Sequence, residues 1–279
     1  MPTDQELKDI VKQKYSEIAL QDKETNMSSC CGSGGCSTEV YNIMSDDYAQ
    51  MEGYNADADL GLGCGLPTEF AQIKEGDTVI DLGSGAGNDC FVARSATGVA
   101  GKIIGIDFTE AMIEKARANA EKMGFNNVEF RQGDIEKMPV TANVADVIVS
   151  NCVLNLVPNK DGVLKEIFRV LKPLGHFSIS DIVLVGNLPD NLRSAAEMYA
   201  GCVSGAIQRQ DYLNLIDQNG FKNITIQKEK EIVIPNDILN KYLSEEEIDQ
   251  FRASGTGIYS VTVFAQKPEA GCVPGSGCC

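Results

Sequence analysis

The stretch Asp77–Asp89, "DTVIDLGSGAGND", constrains the fold more than any other part of the chain. An apolar run of strand length delivers the chain into Gly83, Gly85 and Gly87, and helix-forming residues follow. A strand that turns on glycines into a helix is the opening unit of an open α/β sheet. The next segments repeat that unit. "KIIGIDF" reads as a second strand, and "TEAMIEKARANAEKMGF" as a helix with Thr109 as its cap. "VEFRQGD", "ADVIVSN" and "GHFSISDIVL" read as further strands, with "KDGVLKEIFRVLKP" as the helix before the last. Repeated βα units predict a parallel sheet covered by helices on both faces. "ITIQKEKEIVI" and "YSVTVFAQK" read as late strands that pair at an edge.

The flanking segments differ in composition. The opening residues to about Leu20 have helical spacing, with Ile10, Val11, Ile18 and Leu20 among charges. "MSSCCGSGGCS" is Gly/Ser-rich and predicts a flexible loop. An inserted, helical segment is expected from roughly Gly186 to Arg209, and the tail "PEAGCVPGSGCC" has too little to bury to fold. The 279 residues thus divide into a lead-in of 1–75, a core of 76–186, an insertion with late strands of 187–267 and a disordered Cys-rich tail of 268–279.

The net charge of −16 argues against nucleic acid or an anionic membrane as the main partner, because phosphate binding requires clustered Lys and Arg. The first twenty residues carry charge throughout and lack the apolar core of a secretory signal. No run is long and apolar enough to span a bilayer, so a cytoplasmic location is expected.

The glycines are spaced G-x-G-x-G, which fits a dinucleotide fingerprint poorly and weighs against hydride transfer. Asp107 ends the second strand 22 residues beyond Gly85, where an acid can accept hydrogen bonds from a ribose diol. Asp134 and Ile135 follow the third strand, where an adenine can be held, and Asn151 ends the fourth. Ligands of open α/β sheets sit outside the carboxyl ends of the strands, so these positions converge on one crevice. From about Gly76 to Val185 the combination resembles the S-adenosylmethionine-dependent methyltransferases. That resemblance implies a Rossmann-like, seven-stranded class I sheet. It also implies donor contacts from Asp81, Gly83, Gly85, Gly87, Asp107, Phe108, Met112, Asp134, Ile135 and Asn151.

Ten cysteines are many for a chain with a single histidine, yet no C-x-x-C pair exists, which argues against a structural zinc site. Cys152 directly follows Asn151 and should face the methyl end of the crevice. Cys64 lies between Gly63 and Gly65, and Cys202 sits in the insertion, a natural lid. Any one of the three can be core packing. Three thiols beside a sulfonium pocket suit a soft, thiophilic centre better. Cys90, inside the helix after the glycine turn, is expected to pack in the core, and His176 to be structural.

"NADADLGLGCGLP", "SNCVLNLVP" and "EMYAGCVSGA" resemble the arsenite methyltransferases across most of the chain. The resemblance implies that Cys64, Cys152 and Cys202 bind trivalent arsenic, with a fourth, redox-active thiol in the N-terminal segment. Cys30, Cys31 and Cys36 are all candidates for that thiol, Cys31 standing for the group. The paired tail cysteines, Cys278 and Cys279, resemble those of some microbial members. The implied activity is methylation of arsenite and methylarsenite to mono- and dimethylated arsenicals, a detoxification, with a thioredoxin- or glutathione-type reductant as partner. Two other readings compete: methylation of a small organic molecule such as a quinone precursor, and metalloid sequestration without turnover.

Overall fold

The computed structural model describes residues 3–20, 46–189, 192, 203, 205–234, 236–240 and 242–269. Cys30, Cys31, Cys36, Cys202, Cys272, Cys278 and Cys279 lie outside the described residues, as do residues 270–279 of the tail and most of the inserted segment expected between Gly186 and Arg209.

Helix α1 (Asp4–Ala19) opens on a capping box, in which Thr3 and Glu6 satisfy each other's exposed backbone N–H. After α2 (Pro67–Phe70), the chain enters the repeat predicted from sequence. The elements are β1 (Thr78–Leu82), α3 (Asn88–Thr97), β2 (Lys102–Asp107), α4 (Glu110–Met123), β3 (Val128–Gln132), β4 (Ala145–Asn151), α5 (Lys160–Val170) and β5 (Leu171–Val185). Then follow α6 (Arg209–Gln218), β6 (Lys222–Glu231), α7 (Asn236–Leu239), α8 (Glu245–Ala253) and β7 (Gly257–Gln266).

The seven strands form one sheet of order β3-β2-β1-β4-β5-β7-β6. Strands β1 to β5 run parallel, while β7 is antiparallel to both neighbours, so the sheet is mixed. The two late strands do join the edge beyond β5, with β7 inside and β6 outermost. Alternate residues feed two cores. Val79, Ile103 and Val147 pack against α3 and α4 on one face. Ile80, Ile104 and Ile148 pack on the other, against Val163 and Ile167 of α5 and Ile216 of α6. Burial on both faces explains why these strands are apolar throughout instead of alternating.

Two local expectations shift. Helix α5 stops at Val170, three residues short of the predicted stretch, because Pro173 biases the preceding backbone towards extended geometry and β5 begins at Leu171. Thr109 occupies the N-cap of α4, but its side chain makes no capping bond. No helix among the described residues is long and apolar enough to cross a membrane.

Chain order runs outward from β1 through β2 to β3, then returns to place β4 on the other side of β1. The resulting switch point opens a crevice between the ends of β1 and β4.

Candidate active site

The glycine turn is tied to the end of β2 by backbone bonds. Gly83 N and Ser84 N both donate to Ile106 O, at 2.7 and 3.0 Å. Gly85 N donates to Asp107 Oδ2 at 3.0 Å, and Thr109 N to Asp107 Oδ1 at 2.8 Å. Each carboxylate oxygen therefore keeps lone-pair capacity for a further donor, such as a ribose hydroxyl. Burial raises the Asp107 pKa, against the backbone N–H groups that lower it.

A cleft opens beside this turn, with about 1110 Å³ of space when the open solvent at its mouth is included. Asp81, Gly83, Gly85 and Asp107 line its floor, as the sequence reading requires. Phe108, Met112, Asp134, Ile135 and Asn151 line it as well. Gly87 does not. It caps α3 at φ +100°, and a Cβ there would come within 2.8 Å of Phe91 and 2.9 Å of Phe130, so its role is to turn the chain against two rings. Ser84 also lines the cleft, and its buried Oγ, which lies against Gly105 of β2, has no hydrogen-bond partner among the described residues. A glycine cradle, an acid at the end of β2 and an orphaned hydroxyl fit a nucleoside-bearing methyl donor.

Cys152 lines the same cleft at the end of β4. Its backbone is left-handed, with φ +59°, and its N–H donates to Ser180 O at 2.8 Å. A non-glycine residue held there signals a position over-determined by its surroundings. Cys64 lies just behind, 1% exposed, and is joined to Cys152 as a disulfide with Cα atoms 5.8 Å apart. Gly63 makes this approach possible, because a Cβ on it would stand 2.6 Å from Asn151 Nδ2. Cys64 N donates to Asn151 Oδ1 at 3.0 Å, and Cys64 O accepts from Ser260 Oγ at 2.6 Å. Two of the three expected arsenic thiols are thus brought together. The third, Cys202, and the N-terminal candidates for a redox partner lie outside the described residues. The bonded partner of Cys64 in the structure is Cys152.

Cys90 is fully buried and donates to Asp81 Oδ2 at 3.2 Å. Burial and the Asp81 charge push its pKa well up, so it stays a thiol and packs as expected. His176 lies in β5, its Nε2 2.7 Å from Ala71 O and its ring against Phe264, and it does not line the cleft.

Several cleft residues had no signal in the sequence. Lys8, Val11 and Tyr15 of α1 line the cleft, and Lys8 Nζ reaches Asp134 Oδ2 at 2.7 Å and Glu136 Oε2 at 3.0 Å. Tyr48 Oη donates to the Asp89 carboxylate at 2.9 Å, while Asn151 Nδ2 donates to Gly65 O at 2.8 Å and to Tyr48 Oη at 2.5 Å. These bonds connect the lead-in segment, α3 and β4 beneath the thiols. Burial raises Asp89 to about 6, against the bonds from Tyr48, Asn151 and Thr68.

Residues 73–220 match the family model of a methyltransferase domain. The arsenite methyltransferase of Halobacterium salinarum is 38% identical over 95% of this chain and 67% of its own length. The chain belongs to the arsenite methyltransferase family. The human arsenite methyltransferase is 35% identical over 66% of this chain, and the match spans only 51% of its length. Among solved structures, an arsenic(III) S-adenosylmethionine methyltransferase from Chlamydomonas reinhardtii superposes with a TM-score of 0.63 at 31% identity. That match covers 84% of this chain and 75% of the algal one. In this arsenite methyltransferase family member, the glycine turn, Asp107 and the Cys64–Cys152 pair occupy one end of the sheet.

Proposed function

We propose that the protein methylates trivalent arsenic held by the thiolates of Cys64, Cys152 and Cys202, giving mono- and dimethylated arsenicals. The observation that carries this reading is the pairing of Cys64 with Cys152 at the wall of the donor cleft. S-adenosylmethionine supplies an electrophilic methyl group on a sulfonium sulfur. Gly83, Gly85, Asp107 and Ser84 bind it, with Asp134 and Ile135 at the adenine end.

Trivalent arsenic forms three bonds, so three thiolates replace three hydroxyls and leave one lone pair. Soft sulfur ligands suit it, and no proton has to be removed before attack. A catalytic base is unnecessary, in keeping with His176 lying away from the cleft. Holding the two reactants in line contributes on the order of 7–11 kcal/mol. Attack takes arsenic from the trivalent to the pentavalent state, and two electrons must restore it. A cysteine pair provides them by closing a disulfide. In the structure Cys64 and Cys152 are oxidised, so arsenic binding requires their prior two-electron reduction by a thioredoxin- or glutathione-type thiol. Each methyl added takes one arsenic valence, and protein attachment falls from three bonds to two to one.

The test is speciation of products from arsenite, S-adenosylmethionine and a thiol reductant. Mono- and dimethylated arsenic support the reading. Arsenite bound without methylated product indicates sequestration, and neither binding nor product points to an organic substrate.

A further inference from the structure

The carboxamide of Asn151 is engaged on the thiol side of the cleft. Its Oδ1 accepts from Cys64 N at 3.0 Å. Its Nδ2 donates to Gly65 O at 2.8 Å and to Tyr48 Oη at 2.5 Å, with Asp89 Oδ2 farther off at 3.4 Å. Tyr48 Oη gives its own proton to the Asp89 carboxylate, 2.9 Å away, and so presents a lone pair to Nδ2. The oxygen end of the amide thus meets a donor and the nitrogen end meets acceptors, which fixes the way it points. Both amide hydrogens are taken up inside the protein, so the side chain offers a ligand no more than one lone pair on Oδ1. Cys152 is the next residue in the chain. One residue therefore grips the backbone at Cys64 and Gly65 with its side chain and carries Cys152 on its own backbone. The surroundings tighten the same fit. Ser260 Oγ donates to Cys64 O at 2.6 Å, Cys152 N donates to Ser180 O at 2.8 Å, and a Cβ on Gly65 would stand 2.5 Å from Ser180 Oγ. The Cα atoms of the two cysteines lie 5.8 Å apart. None of these hydrogen bonds uses a sulfur atom, so each can persist when the disulfide is opened.

We propose that Asn151 is a positioning residue for the two thiols, its carboxamide holding Cys64 within bonding distance of Cys152 whether the pair is oxidised or reduced. The inference rests on the functional reading above for what the thiols hold. A loop set free on reduction would have to be ordered again each time arsenic bound. Holding it in advance removes that entropic cost and keeps the effective concentration of one thiol at the other high. The same clamp favours the disulfide. Opening it takes two glutathione thiols, which become one glutathione disulfide while Cys64 and Cys152 each gain a hydrogen. A looser Cys64 would shift that exchange towards the open form, and it would also cost arsenic one prearranged ligand.

Thiol–disulfide exchange on the full-length protein tests this. The protein is equilibrated in mixtures of reduced and oxidised glutathione, free thiols are trapped by alkylation, and the Cys64–Cys152 bond is quantified by peptide mapping. Asn151→Ala should lower the effective concentration of the pair about tenfold or more, the equivalent of one or two hydrogen bonds, and weaken arsenite binding by the reduced protein. Affinity for S-adenosylhomocysteine should move much less. Asn151→Asp keeps the shape but turns an acceptor towards Gly65 O, and should shift the exchange in the same direction. Ile216→Val, a core change in α6 away from the cleft, should lower the melting temperature and leave the exchange where it is. An exchange equilibrium within about twofold of wild type in a folded Asn151 variant overturns the inference, whether or not S-adenosylhomocysteine binding is lost. Failure of the wild-type protein to methylate arsenite overturns the functional reading instead, because the exchange measurement involves neither arsenic nor donor. Should Asn151→Ala not fold, Asn151→Asp decides the matter.

Discussion

Asp107→Ala separates donor binding from thiol chemistry. In the structure this carboxylate accepts from Gly85 N and Thr109 N and stays available to the cleft. Removing it takes away the ribose acceptor and loosens the glycine turn. A hydrogen bond to a charged group contributes about 1.5–3 kcal/mol, which corresponds to a loss of roughly 10- to 150-fold in donor affinity. Stability should change less. The variant gives up two acceptors for backbone N–H groups, but it also relieves the burial that raises the Asp107 pKa, and the two effects have opposite signs. Arsenite binding by the reduced thiols should persist, since Cys64 is held by Asn151 and Ser260, and Cys152 by Ser180. The assays are calorimetry with S-adenosylhomocysteine, titration of the reduced protein with arsenite, and a thermal melt. Donor affinity close to wild type in a folded variant would refute the assignment of Asp107 to the ribose.

Cys152→Ser and Cys202→Ser should each abolish turnover of arsenite and of methylarsenite while the protein stays folded, because serine oxygen is hard and matches arsenic poorly; near-wild-type rates on both substrates would remove that residue from the ligand set. Replacing Cys30, Cys31 and Cys36 together with serine should block or strongly slow methylation of arsenite yet largely spare methylarsenite, measured with excess thiol reductant; equal loss on the two substrates would end that division of labour. Gly63→Ala drives a Cβ to 2.6 Å from Asn151 Nδ2, which should cost about 1–3 kcal/mol of stability and displace Cys64, lowering turnover; an unchanged melt with unchanged activity would contradict the close approach. Asp181 is fully buried and its pKa is pushed up to about 7, chiefly by burial, so the folded state retains a proton that the unfolded chain has lost. Stability conferred by that proton is present below the unfolded pKa of about 4 and lost as pH rises to about 7; Asp181→Asn should flatten this fall in a series of melts, and an unaltered slope would count against it.

The alternation of strands and helices, the glycine turn and the acid at the end of the second strand were all legible in the sequence. Each is a local pattern: apolar runs of strand length, helical spacing and glycines at positive φ leave marks within a few residues of chain. Even there the reading blurred at the ends, as Val170 and Gly87 show. Val170 ends its helix because a strand begins, and Gly87 turns the chain without reaching the cleft. Naming Cys64 and Cys152 as thiols of interest was also within reach, through short motifs around each. Their union was not. They stand 88 residues apart, and only the pairing of β4 with β5, together with Gly63 lying against Asn151, brings their sulfurs together. Nor does any local pattern say that Lys8 reaches Asp134 across 126 residues, or that Tyr48 lies under Asn151 across 103. A charge or a phenol in a polar segment reads as solvated until another element covers it. Which partner it meets is decided by the order of strands in the sheet and by what packs over the switch point, and both belong to the whole fold.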